Sequence, residues 1–122
     1  MNVTDAESEI MTTLWDKSPR TVDEIIAEVG PRKAWGDATI KTLINRLLKK
    51  KAIKSEPIEG RRRYSPLLAR ADYVQSQSQD LLDRLFDGEL APLVAHFAQH
   101  RSLKPEEVER IRKIIGGLGE DV

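Results

Sequence analysis

The apolar positions of this chain recur at three- and four-residue spacing along most of its length, and lose that period for one short stretch near the middle. Ile10, Met11, Leu14 and Trp15 line a first helix, which Thr4 and Glu7, three residues apart, open as a capping box. Pro19 in the segment DKSPR ends it. Thr21 and Glu24 repeat the capping signal, and Val22, Ile25, Ile26 and Val29 line a second helix. The segment GPRKAWG supplies a break, after which Gly36 or Asp37 caps a third helix running to about Lys51. Its stripe is Ile40, Leu43, Ile44, Leu47 and Leu48. Residues 53–64 then fit two short strands around the turn Glu59-Gly60, with Pro57 making the first an edge or broken strand.

Beyond Leu68 the helical period returns. Arg70 to Phe86 forms one helix with Leu81, Leu82, Leu85 and Phe86 on its inner side, and Gly88 interrupts it. Leu93 and Phe97 belong to a second helix ending near His100. Pro105, followed by Glu106 and Glu107, opens a third, striped by Ile111, Ile114 and Ile115 and expected to fray at Gly116, Gly117 and Gly119. The expected architecture is mainly α with a small β-hairpin wing. Residues 1–68 form a winged helix-turn-helix domain and residues 69–122 a three-helix region. Three helices of this length cannot close a large core alone, so their apolar stripes are expected to be buried against a second copy.

Composition adds exclusions. Of 122 residues, 39% are hydrophobic and 33% charged, as in a folded chain rather than a disordered one. No run approaches the roughly 20 apolar residues that span a bilayer. The acidic start MNVTDAESE is unlike a signal peptide, so no membrane insertion and a cytoplasmic location are expected. The absence of cysteine removes disulfides and thiolate chemistry. The net charge of zero hides an arrangement: residues 1–31 carry a net of −5, residues 32–63 a net of +8, and residues 64–122 a net of −3. A cationic block between acidic flanks suggests one polyanion-binding surface; the alternative is that these lysines and arginines merely solvate a helix and a loop.

The second face of the third helix carries Ala38, Lys41, Thr42, Asn45, Arg46 and Lys49, cationic at its ends and hydrogen-bonding in the middle. Such a face can enter a DNA major groove, with Arg46 suited to guanine and Asn45 to adenine. Lys41 and Thr42 suit phosphate or a thymine methyl, and Lys49, Lys50 and Lys51 diffuse attraction. Arg61, Arg62 and Arg63 add a second cluster that can grip backbone or enter the minor groove. Trp15 reads as core and Trp35 as a staple over the first turn of the third helix. His96 and His100 stand four apart, but without cysteine or a third ligand no metal or other cofactor is expected. No Gly-rich phosphate loop or nucleophile constellation argues for an enzyme. A protein-interaction adaptor built on the same fold stays open, since fold alone does not decide function.

The segments TDAESEIMTTLWDKSPRTVDEIIAEV, WGDATIKTLINRLLKKKAI and GRRRYSPL together resemble the penicillinase-repressor (BlaI/MecI/CopY) family, and LFDGELAPLVAHFAQHRSLKPEEVERIRKII resembles its dimerisation region. The resemblance covers nearly the whole chain in order. It implies a homodimeric winged-helix transcriptional repressor on pseudo-palindromic double-stranded operator DNA. It assigns recognition positions to Thr39, Lys41, Thr42, Asn45 and Arg46, and the wing to the region of Gly60, Arg61, Arg62 and Arg63. Ala38 stands where the family is often basic, and the wing is slightly short. Some relatives are released from DNA by a membrane sensor protease that cuts an Asn-Phe bond; the corresponding pair here is His96-Phe97. The cysteine-rich tail of copper-responsive relatives has no counterpart.

Overall fold

A computed structural model describes residues 1–100 and 103–120, which fall into two compact units, Met1–Val74 and Gln75–Val122. Positions 121 and 122, at the end of the expected C-terminal region, lie outside the described residues.

The first unit begins with α1 (Asp5–Asp16), β1 (Arg20–Thr21), α2 (Val22–Lys33) and α3 (Asp37–Lys49). It continues through β2 (Ile53–Ile58) and β3 (Arg61–Pro66) into the first turn of α4 (Arg70–Leu85). Both capping boxes form: the Thr4 and Thr21 hydroxyls each accept from the amide three residues on, while the Glu7 and Glu24 carboxylates accept from the cap amides. Three helices close on a core that includes Ile10, Met11, Leu14, Ile25, Val29, Ile40, Ile44 and Leu47. Burying such side chains stabilises the unit by about 1.5–3 kcal/mol each. Trp15 and Trp35 pack half-buried on this core, and the Trp15 indole N–H donates to the Leu68 carbonyl at 2.9 Å.

Two local features depart from the sequence pattern, and a third agrees with it. First, α2 does not stop at Gly30 but continues through Pro31 to Lys33, ending at left-handed Ala34 (φ 56°). Proline removes one donor, and the carbonyl it leaves, that of Ala27, belongs to an exposed residue where water can take the bond. Second, the hairpin is joined by β1, giving a three-stranded antiparallel sheet of order β1-β3-β2. Two residues, one of them also a helix cap, leave no period to detect. Third, Pro57 lies on an outer strand of the sheet, where a missing donor is tolerated. The β2–β3 turn has left-handed Glu59 (φ 52°) and Gly60 (φ 78°), the two positive torsions of a tight hairpin turn whose twist matches its strands.

The second unit contains the rest of α4, α5 (Leu90–His100) and α6 (Pro105–Glu120). Left-handed Asp87 and Gly88 terminate α4, with the Gly88 amide donating to the Leu82 carbonyl at 2.8 Å. Gly116 and Gly117 were expected to fray α6, yet the helix runs through them to Glu120. A helical glycine costs about 1 kcal/mol without breaking the hydrogen-bond ladder as proline does. No residue of α4 or α5 is fully buried. Leu81, Leu82, Phe86, Leu93 and Ile111 are half-buried, whereas Leu85, Phe97, Ile114 and Ile115 are exposed. Leu93, Phe97 and Ile111 line an open apolar cleft with Val94 and Leu103, bordered by Lys104 and Glu107.

None of the described helices is long and apolar enough to cross a membrane.

Candidate nucleic-acid interface

The core dictates which side of α3 is displayed. Ile40, Leu43, Ile44 and Leu47 are buried, so Thr39, Lys41, Thr42, Asn45 and Arg46 all stand exposed on the opposite side. The Thr42 hydroxyl donates to the Ala38 carbonyl at 2.9 Å, which uses its hydrogen within the helix. Thr42, Thr39 and Arg46 line a shallow depression with Ala38 and Leu43.

A second trough runs from α3 to the wing. Lys41, Asn45 and Tyr64 border it near Val22, and Val22 and Tyr64 continue into a depression lined by Thr21, Asp23, Arg61 and Arg62. The structure thus joins the exposed strip of α3 to the wing through half-buried Tyr64 and Val22, which sequence reasoning did not single out. Their apolar character marked them only as core or strand.

The three wing arginines differ. Arg61 is exposed with no ion pair among the described residues, and Arg62 donates to the Ser55 hydroxyl at 3.0 Å. Arg63 is turned back onto the body: its guanidinium lies 3.4 Å from Glu24 and 4.0 Å from Glu59, and its Nε donates to the Ile58 carbonyl at 3.4 Å. Alternation along β3 puts Arg61 and Arg63 on one face and Arg62 on the other.

Ion pairing sorts the cationic block further. Arg32 and Lys33 are held by Glu9 at 2.6 and 3.2 Å, and Lys54 by Glu56 at 2.7 Å. Lys50, expected to supply diffuse attraction, is engaged by Glu7 and by the Asn2 carbonyl, the latter at 2.7 Å. With Arg63 also paired, the block's remaining cations without a carboxylate partner among the described residues are Lys41, Arg46, Lys49, Lys51, Arg61 and Arg62. They lie on α3, just past its end, and at the wing tip. The pairing therefore concentrates uncompensated positive charge on the face that carries the hydrogen-bonding side chains.

The carboxylate partners respond. Burial opposes ionisation of Glu7, but hydrogen bonds from Lys50 and Thr4 outweigh it and hold the carboxyl below its usual range. The Arg32 hydrogen bond lowers Glu9 against some burial, with Lys33 adding to it. Glu24 is lowered first by the Thr21 amide and hydroxyl and further by Arg63 and Arg20.

His96 and His100 are exposed on α5 with ring centroids 4.8 Å apart, and His96 stands edge-on to Phe97. No group of three His, Cys, Asp or Glu side chains suited to a metal occurs among the described residues.

A family profile described as Penicillinase repressor matches residues 3–117. The penicillinase repressor of Bacillus licheniformis is 32% identical over 114 residues, covering 93% of this chain and 88% of that protein. The penicillinase repressor of Staphylococcus aureus is 33% identical over 113 residues, covering 93% of this chain and 90% of that protein. Among solved structures, the DNA binding domain of the repressor BlaI superposes with a TM-score of 0.54 at 32% identity, covering 59% of this chain and 88% of that one. The monomeric form of Bacillus licheniformis BlaI in complex with the blaP half-operator gives a TM-score of 0.55 at 32% identity, covering 60% and 89%.

Proposed function

The chain belongs to the penicillinase repressor family, and from that premise we propose that it is a DNA-binding transcriptional repressor acting as a homodimer on a pseudo-palindromic operator. The observation that carries this reading is the two-sidedness of α3, whose apolar half is locked in the core while Thr39, Lys41, Thr42, Asn45 and Arg46 stand exposed, Lys41 and Arg46 with no carboxylate partner among the described residues. The solved complex of monomeric BlaI with the blaP half-operator supports operator DNA as the partner.

In this reading α3 lies in the major groove. Arg46 donates a forked pair of hydrogen bonds to guanine O6 and N7, and Asn45 pairs with adenine N6 and N7. Thr42, its hydrogen already given to Ala38, offers a methyl to a thymine methyl, and Lys41 meets phosphate. Arg61 and Arg62 grip the backbone flanking the groove, while Arg63, tied to Glu24 and Glu59, sets the angle of the wing. The residues 69–122 serve dimerisation: Leu81, Leu82, Leu85, Phe86, Leu93, Phe97, Ile111, Ile114 and Ile115 supply the apolar surface for a second copy. A chromosome-bound repressor works in the cytoplasm. A sensor protease acting at His96-Phe97 would have to unwind α5, because the bond lies within the helix.

Selection of bound duplexes from a random pool tests the reading. The expected product is a dyad whose half-sites lie about one helical turn, or a multiple, apart. Binding of selected and scrambled duplexes with equal affinity overturns it in favour of an adaptor role.

A further inference from the structure

We propose that Glu7, remote from the exposed strip of α3, is a positioning residue for DNA recognition: its buried carboxylate holds the Lys50 ammonium and so fixes both the end of α3 and the departure of the wing. The inference deepens the DNA-binding reading and rests on it.

Glu7 is fully buried in the first turn of α1. Its Oε1 accepts from the Thr4 amide at 2.9 Å and from Lys50 Nζ, and Oε2 faces no donor among the described residues. Compensation of the buried charge therefore falls on Lys50, whose side chain is 32% exposed against 1% for Glu7. Lys50 also donates to the Asn2 carbonyl at 2.7 Å, so two acceptors fix its head group against α1 and the segment before it.

The place of Lys50 gives this pairing its consequence. Lys50 is the C-cap of α3, its amide donating to the Arg46 carbonyl at 3.0 Å. Left-handed Lys51 (φ 62°) then reverses the chain, and the Ala52 amide closes back on Leu47 at 3.0 Å. The Ala52 carbonyl in turn accepts from the amides of Leu67 and Leu68, at 2.8 and 3.0 Å, where the wing returns. One short joint thus ties the end of the exposed helix to both ends of the hairpin, and Glu7 clamps it from the opposite side. A buried ion pair contributes little net stability compared with apolar side chains of the same shape, but it fixes orientation. Lys49, Lys50 and Lys51 would otherwise repel one another at this joint; the clamp turns the middle one inward.

The test uses the full chain, a duplex selected from a random pool by the wild-type protein, and a scrambled duplex of equal length. Glu7→Gln keeps the shape and removes the charge; Lys50→Met keeps the stem and removes the cation. Each folded variant is expected to lose about tenfold on the selected duplex, the loss that one misplaced base contact brings, and to hold the scrambled duplex within about twofold. The salt dependence on the scrambled duplex is expected to stay unchanged, because Lys50 is not a phosphate contact. Lys50→Arg, which keeps the pair, is expected to restore discrimination. If Glu7→Gln alone does not fold, the double variant Glu7→Gln/Lys50→Met, in which neither member of the pair carries a charge, carries the same expectation. Wild-type discrimination in any folded variant lacking the pair overturns the inference and leaves the DNA-binding reading standing. Equal loss on both duplexes, with a shallower salt slope, overturns it too, by making Lys50 a phosphate contact. If the wild-type protein selects no sequence, both fall.

Discussion

Arg46 and Arg61 carry the same guanidinium into different tasks. Arg46 rises from a rigid helix whose opposite face is buried, whereas Arg61 follows a two-residue turn at the tip of a hairpin. Arg46→Ala is therefore expected to relax sequence preference at one base pair per half-site, costing about 1–3 kcal/mol on the preferred duplex. Arg61→Ala is expected to weaken all duplexes alike and to reduce the salt slope by about one. Fluorescence anisotropy with selected and scrambled duplexes at several salt concentrations separates the two outcomes. Glu7, Glu9 and Glu24 make a second residue-scale prediction. Their carboxyls are held below the ordinary range in the fold, so the folded state favours their ionised forms. That stabilisation is complete above the unfolded carboxylate pKa of about 4.3 and is lost as pH falls through the lower folded values. Thermal midpoints are expected to be flat from neutral pH down to about pH 5 and to drop below about pH 4.5, less steeply in Glu7→Gln. On the exposed strip of α3, Lys41, Thr42, Asn45 and Arg46 were legible from spacing, whereas Thr39 came only with the family resemblance. The capture of Lys50 and Arg63 was not legible, because their partners Glu7 and Glu24 lie 43 and 39 residues away in sequence.

At the scale of elements, periodicity and caps carried most of the information. The Thr4–Glu7 and Thr21–Glu24 signals marked two helix starts because a capping box is local, needing only four consecutive residues. The stop of α2 was less legible: proline near a helix end forfeits one bond, and tertiary burial of Ile25 and Val29 carries the helix past it. Strand β1 left no trace in the pattern, since its partner β3 is distant and its length is two residues. The wing turn was legible through Gly60, and it supports a prediction. An added Cβ at Gly60 meets no atom within 4 Å, so Gly60→Ala pays only for the left-handed torsion. The expected cost is about 1 kcal/mol in urea unfolding, with scrambled-duplex affinity falling more than the stability loss explains if the wing tip is displaced.

For the whole molecule, the contrast lies between a first unit with a closed core and a second in which no residue of α4 or α5 is fully buried and several apolar side chains are exposed. Leu85 and Ile114 are 62% and 63% exposed, and in the proposed dimer a second copy would cover them. Sedimentation at micromolar concentration is expected to give twice the chain mass for the wild type and a single chain mass for Leu85→Asp or Ile114→Asp. Splitting the pair forfeits the second half-site, which lowers affinity for a dyad by about a hundredfold while a single half-site is bound unchanged. A wild-type single chain would assign those apolar faces another role. The division of the sequence into a DNA-reading half and a self-associating half rests on this experiment; the sequence alone offered stripes without showing what covers them. The most direct test of the central claim is a two-dimensional NMR titration of isotope-labelled protein with its selected duplex. The account predicts the largest shifts at Thr39, Lys41, Thr42, Asn45 and Arg46, followed by Arg61 and Arg62, with little change on the outer face of α1. Shifts confined to other surfaces, or the same pattern with a scrambled duplex at equal affinity, would contradict it.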